Sequence, residues 1–524
     1  MRRTSRIVAR GLLMAVVTHL GVTGDSEAQT LGEAIAQLRS GSYDEAISAL
    51  REIALGDESS SERGQAYAAY MTALAEVGRY DDALEVGAEA PGEISAAVAN
   101  TLGEILYQVG RVEEAREAFA RSIDGSAGDR HSARLNQAVA EWDYGDREVA
   151  LADFDTFIDI YNGAETLSSE DLVAVATAVR YLGVQDHELY KDALRAYDEA
   201  LSVDPGALEP RLLIGELFLE KYNGPEADAA IKEVLARNPN HPRALLGLAR
   251  AMEFNGTPGL MEQVDRALEK NGNLVAGHVF KAKLLMGLEN HDEARTEISK
   301  ALAVNPASLE ALSVLAASHY LGGETEQYER IRDQVGVLSP GYAGLYNDIA
   351  ELSVQSRKYR EASRFAAVAI EVDARSWRAY GILGMNQLRL GQIEEGSANL
   401  ETAFEGDPYN VWFFNTLDLL DTFENYEVSD DDERFLFVLH DREAAILRPY
   451  VEQIAAEAYE ALKDRYGGYE PPLPIRIEVY PSHADFSVRT VGLAGMGALG
   501  VAFGSVVAMD SPAARPLGEF NWAS

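Results

Sequence analysis

Apolar residues recur three and four positions apart through most of the chain, the spacing that places them on one face of an α-helix. From residue 31 to residue 408 the stripe comes as paired segments of about a dozen residues, separated by glycine or proline. Pro205, Pro239, Pro306, Pro340 and Pro408 lie 34, 67, 34 and 68 residues apart, one or two units of a 34-residue period with a single one-residue slip. Repeat starts at 208, 241, 275, 309, 343 and 377 bring the intervening residues into line. The eighth place then holds Gly215, Leu248, Ala282, Ala316, Ala350 and Gly384, and the twentieth holds Ala227, Leu260, Ala294, Tyr328, Ala362 and Gly396. Small residues at both places let two helix backbones approach closely, and the proline ends the second helix of each unit. One such pair cannot bury its stripe alone, so the pairs are expected to stack into a continuous core.

The N-terminal half carries the same unit less regularly. Gly41-Ser42-Tyr43-Asp44-Glu45-Ala46, Gly78-Arg79-Tyr80-Asp81-Asp82-Ala83 and Gly110-Arg111-Val112-Glu113-Glu114-Ala115 are three versions of one helix–turn–helix corner, and residues 145–150 are a fourth. Glycine permits the turn, and the acidic pair sits at the positive end of the helix that follows. Residues 190–205 supply a further second helix after a longer connection at 183–188.

The small–small–proline pattern at a 34-residue period resembles the tetratricopeptide repeat family over about eleven units, residues 31–408. That resemblance implies an all-α, right-handed helical solenoid whose first helices line a concave groove for protein or peptide partners. Places five and nine of the first helices are expected to face the groove, which nominates Ser313, Asn347, Glu351 and Gly381. Stacking of neighbours alone is expected to give an elongated rod in which residues far apart in sequence stay far apart in space.

Beyond Pro408 the period stops. Residues 411–423 are apolar-rich, 429–433 read as an acidic turn, 434–439 as a strand and 443–466 as a helix closed by Gly467-Gly468. Residues 475–480 alternate apolar and charged, the two-residue period of a half-buried strand, and 497–509 are β-like. The expected organisation is therefore 1–28 as a signal peptide, 29–204 as irregular repeats, 205–408 as regular repeats, and 409–524 as a small, incomplete α+β segment. The stretch Pro474-Ile475-Arg476-Ile477-Glu478-Val479-Tyr480-Pro481, with Asp485-Phe486-Ser487-Val488-Arg489-Thr490, Gly497-Ala498-Leu499-Gly500-Val501, Met509-Asp510-Ser511-Pro512 and Phe520-Asn521-Trp522, is similar to the opening of a peptidase MA-like, gluzincin-type metalloprotease domain. In that family the zinc helix bearing H-E-x-x-H follows directly. It is not present here, so nothing catalytic carries over. The resemblance implies that residues 504–510, with Ser505, Val506, Val507 and Ala508, form an edge strand for an extended substrate.

Charge and composition narrow the function classes. Eighty-five acidic against 46 basic side chains give a formal charge of -39, which repels phosphate backbones and argues against nucleic acid as partner. Cysteine is absent, which excludes thiolate nucleophiles and cysteine-ligated metals. Arg2, Arg3, Arg6 and Arg10 precede a short apolar stretch and the small residues Ser26-Glu27-Ala28, the layout of a cleaved secretory signal, although retention as an anchor is the alternative. The mature chain is then exported, periplasmic or secreted, with no transmembrane helix. Gly495-Met496-Gly497-Ala498-Leu499-Gly500 satisfies G-x-G-x-x-G but is followed by β-like sequence where nucleotide binding requires a helix. His187-Glu188 has Lys191 where a second zinc histidine would stand. No complete catalytic, cofactor or metal site emerges. Two readings stay open: a partner-binding scaffold, or the N-terminal part of a secreted zinc peptidase, with zinc only if a downstream H-E-x-x-H half exists.

Overall fold

The computed structural model describes residues 30–56, 59–92, 95–125 and 130–515. The N-terminal signal reading, on residues 1–28, and the aromatic segment at 520–522 lie outside the described residues. Twenty-two helices, from α1 (Leu31–Ser40) and α2 (Tyr43–Leu55) to α21 (Trp377–Arg389) and α22 (Ile393–Gly406), form eleven successive pairs, with no strand before Tyr426 among the described residues. This is the expected all-α solenoid.

The small residues act as the period requires. A Cβ added at Gly215 would come within 2.7 Å of Ile231, and one at Gly384 within 2.8 Å of the Gly396 carbonyl oxygen. Ala282, Ala316 and Ala350 are wholly buried at the same place. The one-residue slip falls later than the repeat starts imply. Ala249 is fully buried while Leu248 is half-buried, so Ala249 holds the eighth place. The missing residue belongs to the second half of that unit, whose helix α14 (Leu260–Lys270) has 11 residues against 14 in α12 (Gly224–Arg237).

The corners Gly41, Gly78 and Gly110 adopt the left-handed region, with φ of 79°, 77° and 81°. Their turns do more than reverse the chain. Asn238 donates from Nδ2 to the Tyr43 hydroxyl (3.1 Å), Asn271 to the Ala75 carbonyl (3.2 Å) and Asn305 to the Gln108 carbonyl (3.1 Å), across 195, 196 and 197 residues. These asparagines follow the sixth, seventh and eighth pairs and meet the corners of the first, second and third. Further along, Arg147 pairs with Asp373 at 2.6 Å, the Trp377 indole donates to the Val184 carbonyl at 3.1 Å, and Lys221 reaches Asp407 at 3.2 Å. The expectation of a rod with distant residues apart is thus corrected. The superhelix turns once in five to six pairs, and its second turn rests on its first.

Helix α23 (Val411–Asp421) continues the packing and leads into a five-stranded sheet: β1 (Tyr426–Asp432), β2 (Phe435–His440), β3 (Ile475–Tyr480), β4 (Gly500–Phe503) and β5 (Val506–Asp510), in the order β1-β2-β3-β5-β4. β2, β3 and β5 are parallel, while β1 and β4 run antiparallel at the two edges. Helix α24 (Asp441–Arg465) crosses one face over Phe437, Leu439 and Ile477, and α25 (His483–Val491) packs with Phe486 against Val506 and Ala508 on the other. The acidic run expected as a turn is mostly strand β1, because an exposed edge tolerates charge where an inner strand would not. Two further expectations change. β5 lies between β3 and β4, so Val506, Val507 and Ala508 are on an interior strand; β4 holds that edge. Ser505 stands in the hairpin turn, and its amide donates to the Arg389 carbonyl at 3.3 Å.

That last contact is part of how the sheet is fastened to the coil. The C-terminal carbonyls of α21 have no partner within the helix. Leu388 O accepts from Arg489 at 2.9 Å, and Arg389 O accepts from Ser505. Gly504, at φ +57°, lies so close to Arg389 O that a Cβ would overlap it. Arg489 is held in turn by the wholly buried Glu478 at 2.7 Å, which also takes Arg476 at 2.5 Å.

Candidate functional site in the concave channel

The first helices of the later pairs line the inside of the coil: α9 (Ser169–Leu182), α11 (Glu209–Glu220), α13 (Pro242–Phe254), α15 (Val275–Gly287), α17 (Leu309–Leu321), α19 (Gly344–Gln355) and α21. Their inward side chains carry both signs and pair from one helix to another. Arg180 meets Glu220 at 2.7 Å, and Arg243 meets Glu209 at 2.9 Å and Glu216 at 3.1 Å. Lys283 bridges Glu310 at 3.0 Å and Asp348 at 3.2 Å, and Arg378 takes Asp348 at 3.0 Å and Glu351 at 2.5 Å.

Burial by the surrounding turn would raise the Glu220 and Glu351 carboxyls, but Arg180 and Lys221 outweigh it for the first and Arg378 for the second, so both sit below the ordinary carboxylate range. The Lys283 ammonium is lowered by burial and raised more by Asp348 and Glu310, and ends above its usual value. Glu351 and Arg378 still keep 43% and 42% of their side-chain surface open. Water therefore screens this pair, and its main consequence is a fixed inner surface rather than large stability.

The ladder opens at α13. There Arg250, Glu253 and Phe254 face Phe280, with Trp412 of α23 reaching across from the second turn, around a cavity of about 670 Å³. The Trp412 ring lies 5.4 Å from Phe254 and 5.0 Å from Tyr222, whose phenol is pushed up to about 12 by burial.

Of the residues nominated from sequence, Glu351 reaches the channel. Ser313 is buried and donates to the Leu309 carbonyl at 2.7 Å; Asn347 is buried and donates to the Ser376 hydroxyl at 3.1 Å; Gly381 lies under the Phe413 ring. Place five of the first helix thus belongs to contacts between neighbouring helices, while place nine reaches the channel in Glu351 but is wholly buried in Ala317. Place nine also holds Glu216 and Lys283, so the period could have named both. Arg243, Glu310 and Arg378 come from the first turn of their helices, a position the apolar period does not mark.

A tetratricopeptide repeat family model matches residues 31–98, 100–165 and 281–327. These segments are tetratricopeptide repeats. No curated protein matches the chain. Among solved structures, the chain is similar to yeast Tom70, with 16% identity, 74% of this chain and 87% of that one covered, and a TM-score of 0.34. It is similar also to the Cut9-Hcn1 hetero-tetramer of the APC/C (12% identity, 74% and 88% covered, TM-score 0.30). A tetratricopeptide repeat protein from Parabacteroides merdae matches at 19% identity over 48% of this chain and 98% of that one, with a TM-score of 0.33.

A second cavity, of about 500 Å³, lies between α24 and the sheet and is walled by Phe435, Val451, Tyr459, Ile477 and Met509. Its lining is mostly apolar, with Lys463, Tyr466 and Tyr469 as polar members. Among the described residues no group of three His, Asp or Glu side chains could hold a metal ion, and no helix is long and apolar enough to cross a membrane.

Proposed function

We propose that this protein is an exported tetratricopeptide scaffold that binds protein or peptide partners in the channel of its coil. The observation that supports this most strongly is the charged inner wall. The paired side chains from Arg180 to Arg378 come from successive repeats and, apart from the buried Asp348, keep part of their surface open to water; the exposed pairs contribute little to stability. A wall of this kind suits an extended chain that meets charged groups of both signs contributed by successive repeats. The basic residues and apolar stretch before Ala28 support export.

A photo-crosslinking side chain placed at Glu351, inside the channel, and at Glu329, on the exposed side of a second helix, tests the reading in periplasmic extract. Capture of a partner from position 351 and none from 329 is expected. Equal capture from both positions would count against channel binding.

A second reading, in which residues 409–524 open a gluzincin-type domain, rests on the sequence resemblance of residues 474–512 alone. The cheap test is the coding sequence past Ser524: H-E-x-x-H within the following helix is expected, and a stop codon there would end this reading.

A further inference from the structure

We propose that the opening in the charge ladder at α13 is a subsite for a basic side chain of an extended peptide, whose cation is taken by Glu253 while a neighbouring peptide carbonyl accepts from Arg250. This rests on the channel reading and gives that channel a specific ligand chemistry.

The ladder is otherwise saturated: around the cavity, Arg180, Glu216, Glu220, Lys283 and Glu310 each have an oppositely charged partner within 3.2 Å. Arg250 and Glu253, three residues apart on one helix, do not. Arg250 makes no hydrogen bond among the described residues; it lies over the Phe280 ring, 5.6 Å from its centroid, and feels Glu216, Glu253 and Glu310 only through space. Glu253 accepts none and is exposed to the cavity. Burial by the surrounding coil raises the Glu253 carboxyl above its ordinary value, and the pull of Arg250 and Lys283 in the other direction is weaker. A carboxylate partly shielded from water and without a hydrogen-bond donor of its own gains from an incoming cation.

The surroundings favour a cation over an anion. Four of the seven charged groups at the cavity are acidic, and the chain carries -39 overall, so cations are steered in and anions repelled. Phe254, Phe280 and Trp412 offer ring faces to the aliphatic stem and charged head of a lysine or arginine. The volume of about 670 Å³ exceeds one side chain, and Phe280, Lys283 and Glu310 extend its lining onto α15 and α17. A peptide fills such a site; a lone amine does not.

Trp412 links this subsite to the C-terminal sheet. Its ring lies against Gly492, the left-handed cap of α25 with φ +75°, where a Cβ would come within 2.9 Å of the indole. The neighbouring Asn415 donates to the Gly492 carbonyl at 3.0 Å. The wall that closes the cavity is thereby held by two elements outside the repeats.

The test uses the full chain and two fluorescein-labelled, end-blocked peptides, Leu-Lys-Phe-Lys-Leu and Leu-Glu-Phe-Glu-Leu, read by fluorescence anisotropy at low salt. The lysine peptide is expected to bind at least tenfold more tightly than the glutamate peptide. Glu253→Gln should remove most of that preference, whereas Glu262→Gln, on the exposed face of the second helix α14, should leave it unchanged. Equal binding of the two peptides, no binding of the lysine peptide, or a preference unaltered in Glu253→Gln would each overturn the subsite. Retention of crosslinking from position 351 alongside any of these results would leave channel binding standing, so the two failures are distinguishable.

Discussion

Replacing Asn271 with alanine removes a contact that the repeat pattern alone does not call for. The side chain is 3% exposed and donates to the Ala75 carbonyl and the Tyr80 hydroxyl, both at 3.2 Å, while its own carbonyl accepts from the Asn273 amide at 3.0 Å. At about 1 kcal/mol net for each bond, Asn271→Ala should cost about 3 kcal/mol, with the orphaned Ala75 carbonyl pushing the loss upward rather than down. Because the contact joins the second pair to the seventh, the loss should be felt at both. Hydrogen exchange of the amides at 75–80 and 271–274 should quicken together, and the urea midpoint should fall at an unchanged slope. Val337→Ala, at a side chain 83% exposed, is the control and should stay within about 0.5 kcal/mol. If Asn271→Ala behaves like that control, or if exchange quickens at 271–274 alone, the turns do not support one another and the reasoning fails.

Gly384→Val places a branched side chain against the Gly396 carbonyl and Leu400, and should cost more than the ~1–3 kcal/mol of ordinary overpacking; thermal unfolding by circular dichroism reads it. Glu478→Gln leaves Arg476 and Arg489 buried without their carboxylate and should cost about 3–5 kcal/mol, seen as early loss of near-ultraviolet circular dichroism from the C-terminal sheet. In the unsubstituted protein burial alone would raise the Glu478 carboxyl, but Arg489 and Arg476 outweigh it and hold it below 4.5. The unfolded chain therefore takes up this proton at higher pH than the folded one. The stabilisation is complete above about pH 4.5 and fades as pH falls through the lowered value, so the sheet should loosen on acidification and Glu478→Gln should flatten that response. Trp412→Ala should cost about 3–5 kcal/mol by emptying the contacts with Tyr222, Phe254 and Gly492, read by urea unfolding monitored through circular dichroism.

The repeat period was legible because it is local. Gly215, Ala227 and Ile231 meet within one helix pair, so their spacing along the chain mirrors their contact. The winding of the coil was not legible in that way. Asn238, Asn271 and Asn305 recur at 33 and 34 residues and so share the period, yet the residues they touch lie some 195 positions away, where no local rule reaches. The channel was half legible for a related reason. Place nine carries a visible charge pattern in Glu216, Lys283 and Glu351, but the opposing charges come from other helices' first turns, and only stacking shows which of them meet. In the sheet, strand β2 follows from its apolar run and β3 from its two-residue alternation. The acidic β1 has the composition of a turn, and only its pairing with β2 makes it a strand.

The closure of the coil is open to direct measurement because the chain has no cysteine, so two introduced thiols can be labelled cleanly. Asp44→Cys and Arg237→Cys lie one residue from the contact between Tyr43 and Asn238, on opposite turns. With Cα atoms ~3.8 Å apart along the chain, spin labels at these sites should give a short electron–electron distance, below about 25 Å. A single population beyond about 40 Å would mean that the turns stand apart, and the channel with its charged wall would not exist.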